Sequence, residues 1–470
     1  MRKRLFFVFV LFPFLMFSQH KWTLEECINY ALDNSIELQQ QKISMAINKN
    51  NLTQAKLSLL PSLSVSANHN YMRGHTIDPF TNEFIPNKSN TENFSVSSSI
   101  TLFNGFRMLN NVKYQKFNFL SSVENLKKTT NTISLNIASA FLQILYAKEN
   151  LRLAEEQYET NKLQVENSRK LYNAGSVSVD NYLDAQAQLA NANLQVVNAE
   201  NTLKMAVLSL IQLMNLPADS LDNFDVTVPD VEDLSNESLL LPLDTLVNKA
   251  IAVLPDYKAA EYNLHSKEYS LKMAQGNRSP RVFLSVSYGT GYSDTRKKGS
   301  YSPVIVPVGF VATDSTPVYG WQMQYNEEPY PFADQLNDNK SATVSLGVSI
   351  PIFSGYQTST QIKNARLSLY SAKLEMQNTY NNIYKSVVQA YNDAKAALNK
   401  YNAAKKSLEA QKTSFENLSK KFSVGMVSYV DFNVAKNNLF KAENDMLQAK
   451  YEYVFKLKIL DFYIGKPLNF

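Results

Sequence analysis

The 470-residue chain has one cysteine, four histidines and two tryptophans. It has no run of 18 apolar residues beyond its N-terminus. Each shortage excludes something. A single thiol, Cys27, cannot form an internal disulfide, and within an apparent helix it reads as a small core residue. The histidines show no zinc-type spacing. His69 and His75 flank a predicted hairpin loop without placed carboxylates, so no metal site is assigned. The missing apolar run excludes a transmembrane helix but leaves a β-barrel open. There is no P-loop and no nucleophile elbow, and the Gly-Thr-Gly at 289 to 291 reads as a strand rim rather than a phosphate loop. No catalytic residue and no cofactor is assigned, and an enzyme is not expected. The net charge is +5, and Arg2, Lys3 and Arg4 supply three of those charges. No basic face remains to argue for nucleic acid.

What is present begins with residues 1–18, MRKRLFFVFVLFPFLMFS. A charged start, a short apolar run containing Pro13 and a small residue at Ser18 make a secretory signal peptide. No cysteine stands at the cleavage point to carry a lipid. The rest is a tandem duplication. Ile100, Phe103, Gly105, Gly175 and Pro217 recur 250 residues later as Ile350, Phe353, Gly355, Gly425 and Pro467. Upstream, Ala31, Ala55 and Pro61 recur as Ala250, Ala274 and Pro280 at an offset of 219. The two offsets differ by 31 residues, which places an insertion between Tyr288 and Ser341. The first repeat is 19–217 and the second 245–470. Between them, 218–244 forms an acidic connector without Lys or Arg.

Each repeat reads helix, strand, strand, helix, helix. The long helix of the first carries Ile133, Ile137, Ala140, Ile144, Ala147 and Leu151, with steps alternating between four and three. Gly105 to Gly175 spans 70 residues, roughly 105 Å of helix. The return helix to Pro217 is shorter, so a second helix stacked end to end, from Ser35 to Pro61, is needed to match it. The strands alternate with period two over 62–71, 93–103, 281–289 and 342–352. Leu63 and Val65 face one way; Ser62, Ser64 and Ser66 face the other. Ten alternating residues suit a transmembrane β-strand, and a soluble half-buried sheet is the alternative. Four strands cannot close a barrel, and open edges do not survive in lipid. Two chains would supply eight strands and a filled interior, three chains twelve and a pore.

The tandem halves, the Phe-Asn-Gly and Phe-Ser-Gly triplets at 103–105 and 353–355, and a glycine turn followed by Leu-Asp-Ala-Gln at 183–186 resemble the TolC-like outer-membrane efflux proteins. The resemblance covers about residues 22–467. It implies a mainly α fold with a small transmembrane β part. In that fold a homotrimer forms a twelve-stranded β-barrel in outer-membrane lipid, continuing into a long α-helical barrel in the periplasm of a Gram-negative bacterium. It implies a passive exit duct working with a periplasmic adaptor (membrane fusion protein) and an inner-membrane transporter. Drug or metal efflux is the first reading and type I protein secretion the alternative; a soluble periplasmic coiled-coil scaffold is the rival of another class. The resemblance assigns adaptor docking to Ala174, Gly175 and Ser176 and to Val424, Gly425 and Met426. The family's common form is Val-Gly-Leu. It also places gate candidates at Tyr172, Asn181 and Asp184 and at Phe422 and Asp431. Each glycine also reads as a left-handed helix cap, and Ser428 with Asp431 as a capping pair. The segment 289–340 would face outside the cell, as a lid over the mouth, a partner surface or a variable loop.

Overall fold

The computed structural model describes residues 21–77, 84–228, 241–310 and 312–466. The expected signal peptide, part of the acidic connector and Pro467 lie outside the described residues. In chain order the elements are β1 (Lys21–Trp22), α1 (Leu24–Asn34), α2 (Ile36–Leu57), β2 (Ser62–Ile77), β3 (Phe84–Phe103), α3 (Arg107–Asn173) and α4 (Val179–Met214). A 3-10 turn at Ala218–Asn223 and β4 (Asp225–Val226) follow. Then come α5 (Leu243–Val253), α6 (Pro255–Gly276), β5 (Arg281–Ser293), β6 (Lys297–Phe310), β7 (Pro317–Pro329), α7 (Phe332–Asp338), β8 (Ser341–Ser349), α8 (Gln357–Ser423) and α9 (Tyr429–Tyr463). The series α1, α2, β2, β3, α3, α4 is repeated as α5, α6, β5, β8, α8, α9. The chain forms two compact units, and Lys49–Lys116 with His265–Tyr370 make the second.

The first unit is helical. A capping box starts α1: Thr23 Oγ1 accepts from the Glu26 N–H at 3.2 Å, and Glu26 Oε2 accepts from the Thr23 N–H at 2.8 Å. Ser35 ends α1, and its hydroxyl accepts from the Leu38 N–H to start α2. In the second repeat Pro255 restarts the helix, a residue preset for a first helical position. One core joins Ile137, Phe141 and Ile144 of α3 to Leu210 and Met214 of α4, Cys27 of α1 and Val454 of α9. Cys27 is fully buried, and burial, then the nearby Glu26 charge, pushes its thiol up to about 12. It is therefore inert toward thiol reagents in the folded chain. A second core packs Leu246 and Ala250 of α5 on Val387 and Ala394 of α8 and Leu460 of α9.

Strand β4 of the connector pairs in parallel with β1. Trp22 stacks on Phe224 at 5.9 Å, and Asp225 accepts from Lys148 at 2.5 Å. Burial alone would raise the Asp225 carboxyl. The bonds from Lys148 and the Val226 N–H, with the Lys148 and Lys21 charges, hold it below its ordinary value.

The second unit contains a four-stranded antiparallel sheet in the order β2-β3-β5-β8. Gly105 turns the chain from β3 toward α3 with φ +66°, and a Cβ there would lie 2.6 Å from the Gly276 carbonyl oxygen and from Ser279. Strands β2 and β3 pair out to Ile77 and Phe84, beyond the alternating segments read from sequence. Their outer parts, such as Arg73, His75, Lys88 and Asn90, are polar, so alternation gave no signal there. Strand β8 ends at Ser349, two residues before Pro351, which has no N–H for a ladder.

The segment 289–340 is largely ordered. β6 and β7 form a separate two-stranded antiparallel hairpin, and α7 covers the edge of β5 where β8 stops. The wholly buried Gln335 copies a strand partner there. Its Oε1 accepts from the Ser293 N–H at 3.0 Å and its Nε2 donates to the Ser293 carbonyl at 2.9 Å. An otherwise open edge is thereby paired.

Candidate functional site

Among the described residues no three His, Cys, Asp or Glu side chains gather to hold a metal ion. His69 instead pairs with Glu92 across β2 and β3 at 3.3 Å. No described helix is long and apolar enough to cross a membrane. Three other features carry the function.

The first is the sheet. Its register puts Leu63, Val65, Val96, Leu284, Val286, Val344 and Leu346 on one face and a serine ladder on the other. Ser62 bonds Ser99 at 2.9 Å, Ser64 bonds Ser97 at 2.8 Å and Ser66 bonds Ser95 at 2.7 Å. The apolar face is open, with Val65 75% exposed and Val344 71%. Such a patch belongs in lipid rather than water. Both outer strands, β2 and β8, have an unpaired edge.

The second is a seam between helices. α9 packs on α3, where Tyr451 and Phe455 share a groove with Leu142 and Tyr146. On α9, Asn433 and Leu447 are buried, at 5% and 7% exposure. The positions 250 residues earlier, Leu183 and Val197 on α4, are 52% and 53% exposed. The repeat thus satisfies one of two equivalent seams within a single chain and leaves the other bare.

Sequence reasoning missed a polar node in the closed seam. Lys436 of α9, nearly fully buried, donates from Nζ to Asn161 Oδ1 of α3 at 2.8 Å. Burial pushes its ammonium down to about 8. Asn433 Oδ1, one turn earlier, is buried with no hydrogen-bond partner. One heptad further, burial and then the Glu156 charge of α3 push the Glu443 carboxyl up. The heptad stripe of the return helix runs through Ala435 and Ala442, so it marks only the side facing α8. The available signal was the offset itself, which sets Lys436 against Gln186.

The third feature is the pair of turns. After Asn173 and Ser423 the chain closes the same motif twice. Gly175 N–H donates to the Tyr172 carbonyl at 2.9 Å and Ser176 N–H to the Leu171 carbonyl at 2.9 Å. Gly425 and Met426 repeat these bonds to Phe422 and Lys421 at 3.0 and 2.9 Å. The glycines take φ +72° and +77°, the left-handed cap conformation. Ala174, Ser176, Val424 and Met426 are exposed around them. The aromatic gate candidates are engaged within the chain: Tyr172 stacks on Tyr182 at 6.0 Å and Phe422 on Phe432 at 4.6 Å. Asp431 is exposed and bonded to Ser428, whose Oγ accepts from the Asp431 N–H at 3.1 Å. Asn181 stands half-buried in the first turn of α4, and Asp184 is exposed.

The two turns differ at the cap. Ser428 makes a side-chain cap and Ser178 does not. Ser428→Ala is therefore expected to destabilise the first turn of α9 by about 1 kcal/mol, while Ser178→Ala changes α4 little. Hydrogen exchange of amides in the two first turns checks this; equal effects would contradict it.

A lipid-suited sheet with open edges in one unit, and paired helices ending in exposed turns in the other, define a subunit of a membrane channel. The outer membrane efflux protein family model matches residues 27–216 and 246–466, one match per repeat, and the chain belongs to that family. It is 23% identical over 408 residues to the outer membrane protein TolC of Escherichia coli, covering 86% of this chain and 74% of that one. It is 19% identical over 351 residues to the alkaline protease secretion protein AprF of Pseudomonas aeruginosa, covering 74% and 64%. The outer membrane protein VceC of Vibrio cholerae shares the fold with a TM-score of 0.75 at 13% identity, over 94% of this chain and 96% of that one. The family consists of outer-membrane channels, so the chain is placed in the outer membrane and the periplasmic scaffold reading is dropped.

Proposed function

We propose that three copies of this chain close a twelve-stranded barrel and a helical tube, forming the passive outer-membrane exit of a tripartite export system. The observation that carries this is the bare seam. Leu183 and Val197 of α4 occupy the positions that their repeats on α9 bury, and the sheet is open on the same count, at β2 and β8. A ring of copies closes both at once, each chain repeating between neighbours the contact it makes within itself.

In this reading Val65 and its row face lipid and the serine ladder lines water. The turns at Ala174-Gly175-Ser176 and Val424-Gly425-Met426 meet the periplasmic adaptor, which couples the duct to an inner-membrane transporter. Tyr172, Asn181, Asp184, Phe422 and Asp431 surround the periplasmic mouth. The stacked rings of Tyr172 and Phe422 and the capped Asp431 tie mouth opening to movement of whole helix pairs rather than of single side chains. The cargo is a drug or metal; similarity to a protease secretion protein keeps type I protein secretion as the second reading.

The docking role is tested by crosslinking in cells. Cysteine is placed at Ser176 or Met426 rather than at the glycines, whose positive φ a side chain would strain. The one native thiol is buried and gives no background. Ser176→Cys and Met426→Cys are expected to yield an adduct with one periplasmic adaptor, and Glu200→Cys, exposed mid-helix, none. Adducts from Glu200→Cys alone would contradict docking at the turns.

A further inference from the structure

The insertion that breaks the repeat builds the β6–β7 hairpin, for which the sequence left a lid, a partner surface and a variable loop open. Its two faces differ. Tyr301 pairs with Tyr325, Pro303 with Met323, Ile305 with Trp321 and Pro307 with Tyr319, so these residues share one face. The opposite face carries Ser300 with Asn326, Ser302 with Gln324, and nearer the tip Val304 with Gln322 and Val306 with Gly320. Along the apolar face Tyr301, Ile305, Tyr319, Trp321, Met323 and Tyr325 are between 51% and 73% exposed. Internal order is good, since the Tyr301 and Tyr325 rings lie 5.0 Å apart and Tyr325 covers Gly299. A two-stranded ribbon is marginal alone in water, and an apolar strip of this size signals a contact surface.

The occupant is argued from charge and position. The one ion pair of the face among the described residues, Lys297 with Glu327 at 2.8 Å, sits at its base. Above it the paired strands place no described Lys, Arg, Asp or Glu on this face, and the turn adds a single acid, Asp314. A neutral aromatic face matches another like itself. The hairpin is also carried beside the subunit seam, because its chain leads through α7 into β8, an edge strand of the sheet. On the trimer reading above, which this inference rests on, β8 meets β2 of the next copy. Three hairpins then stand around one threefold axis, each with a single apolar face to bury.

We propose that the β6–β7 hairpins of neighbouring copies pack together by their aromatic faces and form a lid across the outer mouth of the channel. The partner is a second copy of this chain, not lipid and not a different protein. Turning the apolar faces toward the axis brings the ribbons over the opening, with their Ser and Gln faces toward water.

The test uses full-length protein in outer-membrane vesicles and a short bismaleimide. Met323→Cys is expected to give covalent dimers and trimers, and Gln322→Cys, on the opposite face, none. Cysteine pairs across the sheet seam, one within Ser62–Ser66 and one within Thr343–Gly347, report the trimer separately. Seam crosslinks without any from Met323→Cys overturn the lid and leave the trimer standing. Failure of both overturns the lid together with the trimer. Fluorescence gives a second measurement, because Trp22 and Trp321 are the only tryptophans. In a Trp22→Phe background, Trp321 is expected to keep its emission in vesicles of brominated lipid. Strong quenching would assign the face to the bilayer and sink the proposal.

Discussion

Val65→Arg is expected to cost about 2–4 kcal/mol of folding stability in lipid, while Ser64→Arg, its neighbour on the same strand, is tolerated. The two residues differ by one position and by the whole thickness of the sheet. Val65 pairs with Val96 on the open apolar face, and Ser64 pairs with Ser97 on the serine face. An arginine at Val65 must either bury its charge in hydrocarbon or drag water and headgroups inward. At Ser64 it enters the water-filled side and loses only the 2.8 Å serine bond. The measurement is urea unfolding in lipid vesicles, followed by the electrophoretic shift of folded barrel. Equal losses at both positions would mean that the apolar face is covered by protein rather than by lipid.

Lys436→Gln is expected to stabilise the helical unit by up to about 3 kcal/mol at pH 7. A fall of the buried ammonium from its ordinary 10.5 to about 8 corresponds to about 3 kcal/mol of penalty on the charged form. Glutamine still offers a donor toward Asn161, and the first repeat already carries Gln186 at this place. The pH dependence fixes the cause. The unfolded chain holds the lysine proton more tightly than the folded one, so between about pH 8 and 10.5 it binds more protons. Through this group the stability of the native protein therefore rises across that window and is flat below it, while Cys27, whose thiol the fold holds protonated, opposes the rise from about pH 9 upward. Lys436→Gln removes the Lys436 contribution alone, read as the difference between the variant and the native chain at each pH. Urea midpoints of the helical circular dichroism signal at pH 7 and pH 10 read both effects. A variant less stable than the native chain at pH 7 would show that the Lys436–Asn161 bond outweighs the burial of the charge.

Much of this architecture was legible because duplication prints every feature twice. Gly175 and Gly425, the serine alternation and the heptad stripe each had a second copy to check against. The parts that stayed hidden are those where local rules conflict with their surroundings. Pro303, Pro307, Pro317 and Pro329 argue against strands, yet each strand of an isolated ribbon has one free edge, where a missing N–H costs nothing. Gln335 looks like a surface residue until α7 presses it onto the β5 edge. Lys436 looks solvated on a helix with one apolar stripe, but α9 is covered on two sides. Of the residues proposed for docking and gating, sequence located the two turns. It did not reveal that Tyr172 and Phe422 are stacked on their own return helices.

One chain alone is incomplete, with an unpaired edge at each outer strand of its sheet and a bare helical seam. Native mass spectrometry of the mature protein released from lipid nanodiscs tests this most directly. The expected result is a single species of three copies. A species of one copy, folded and stable in lipid, would contradict it.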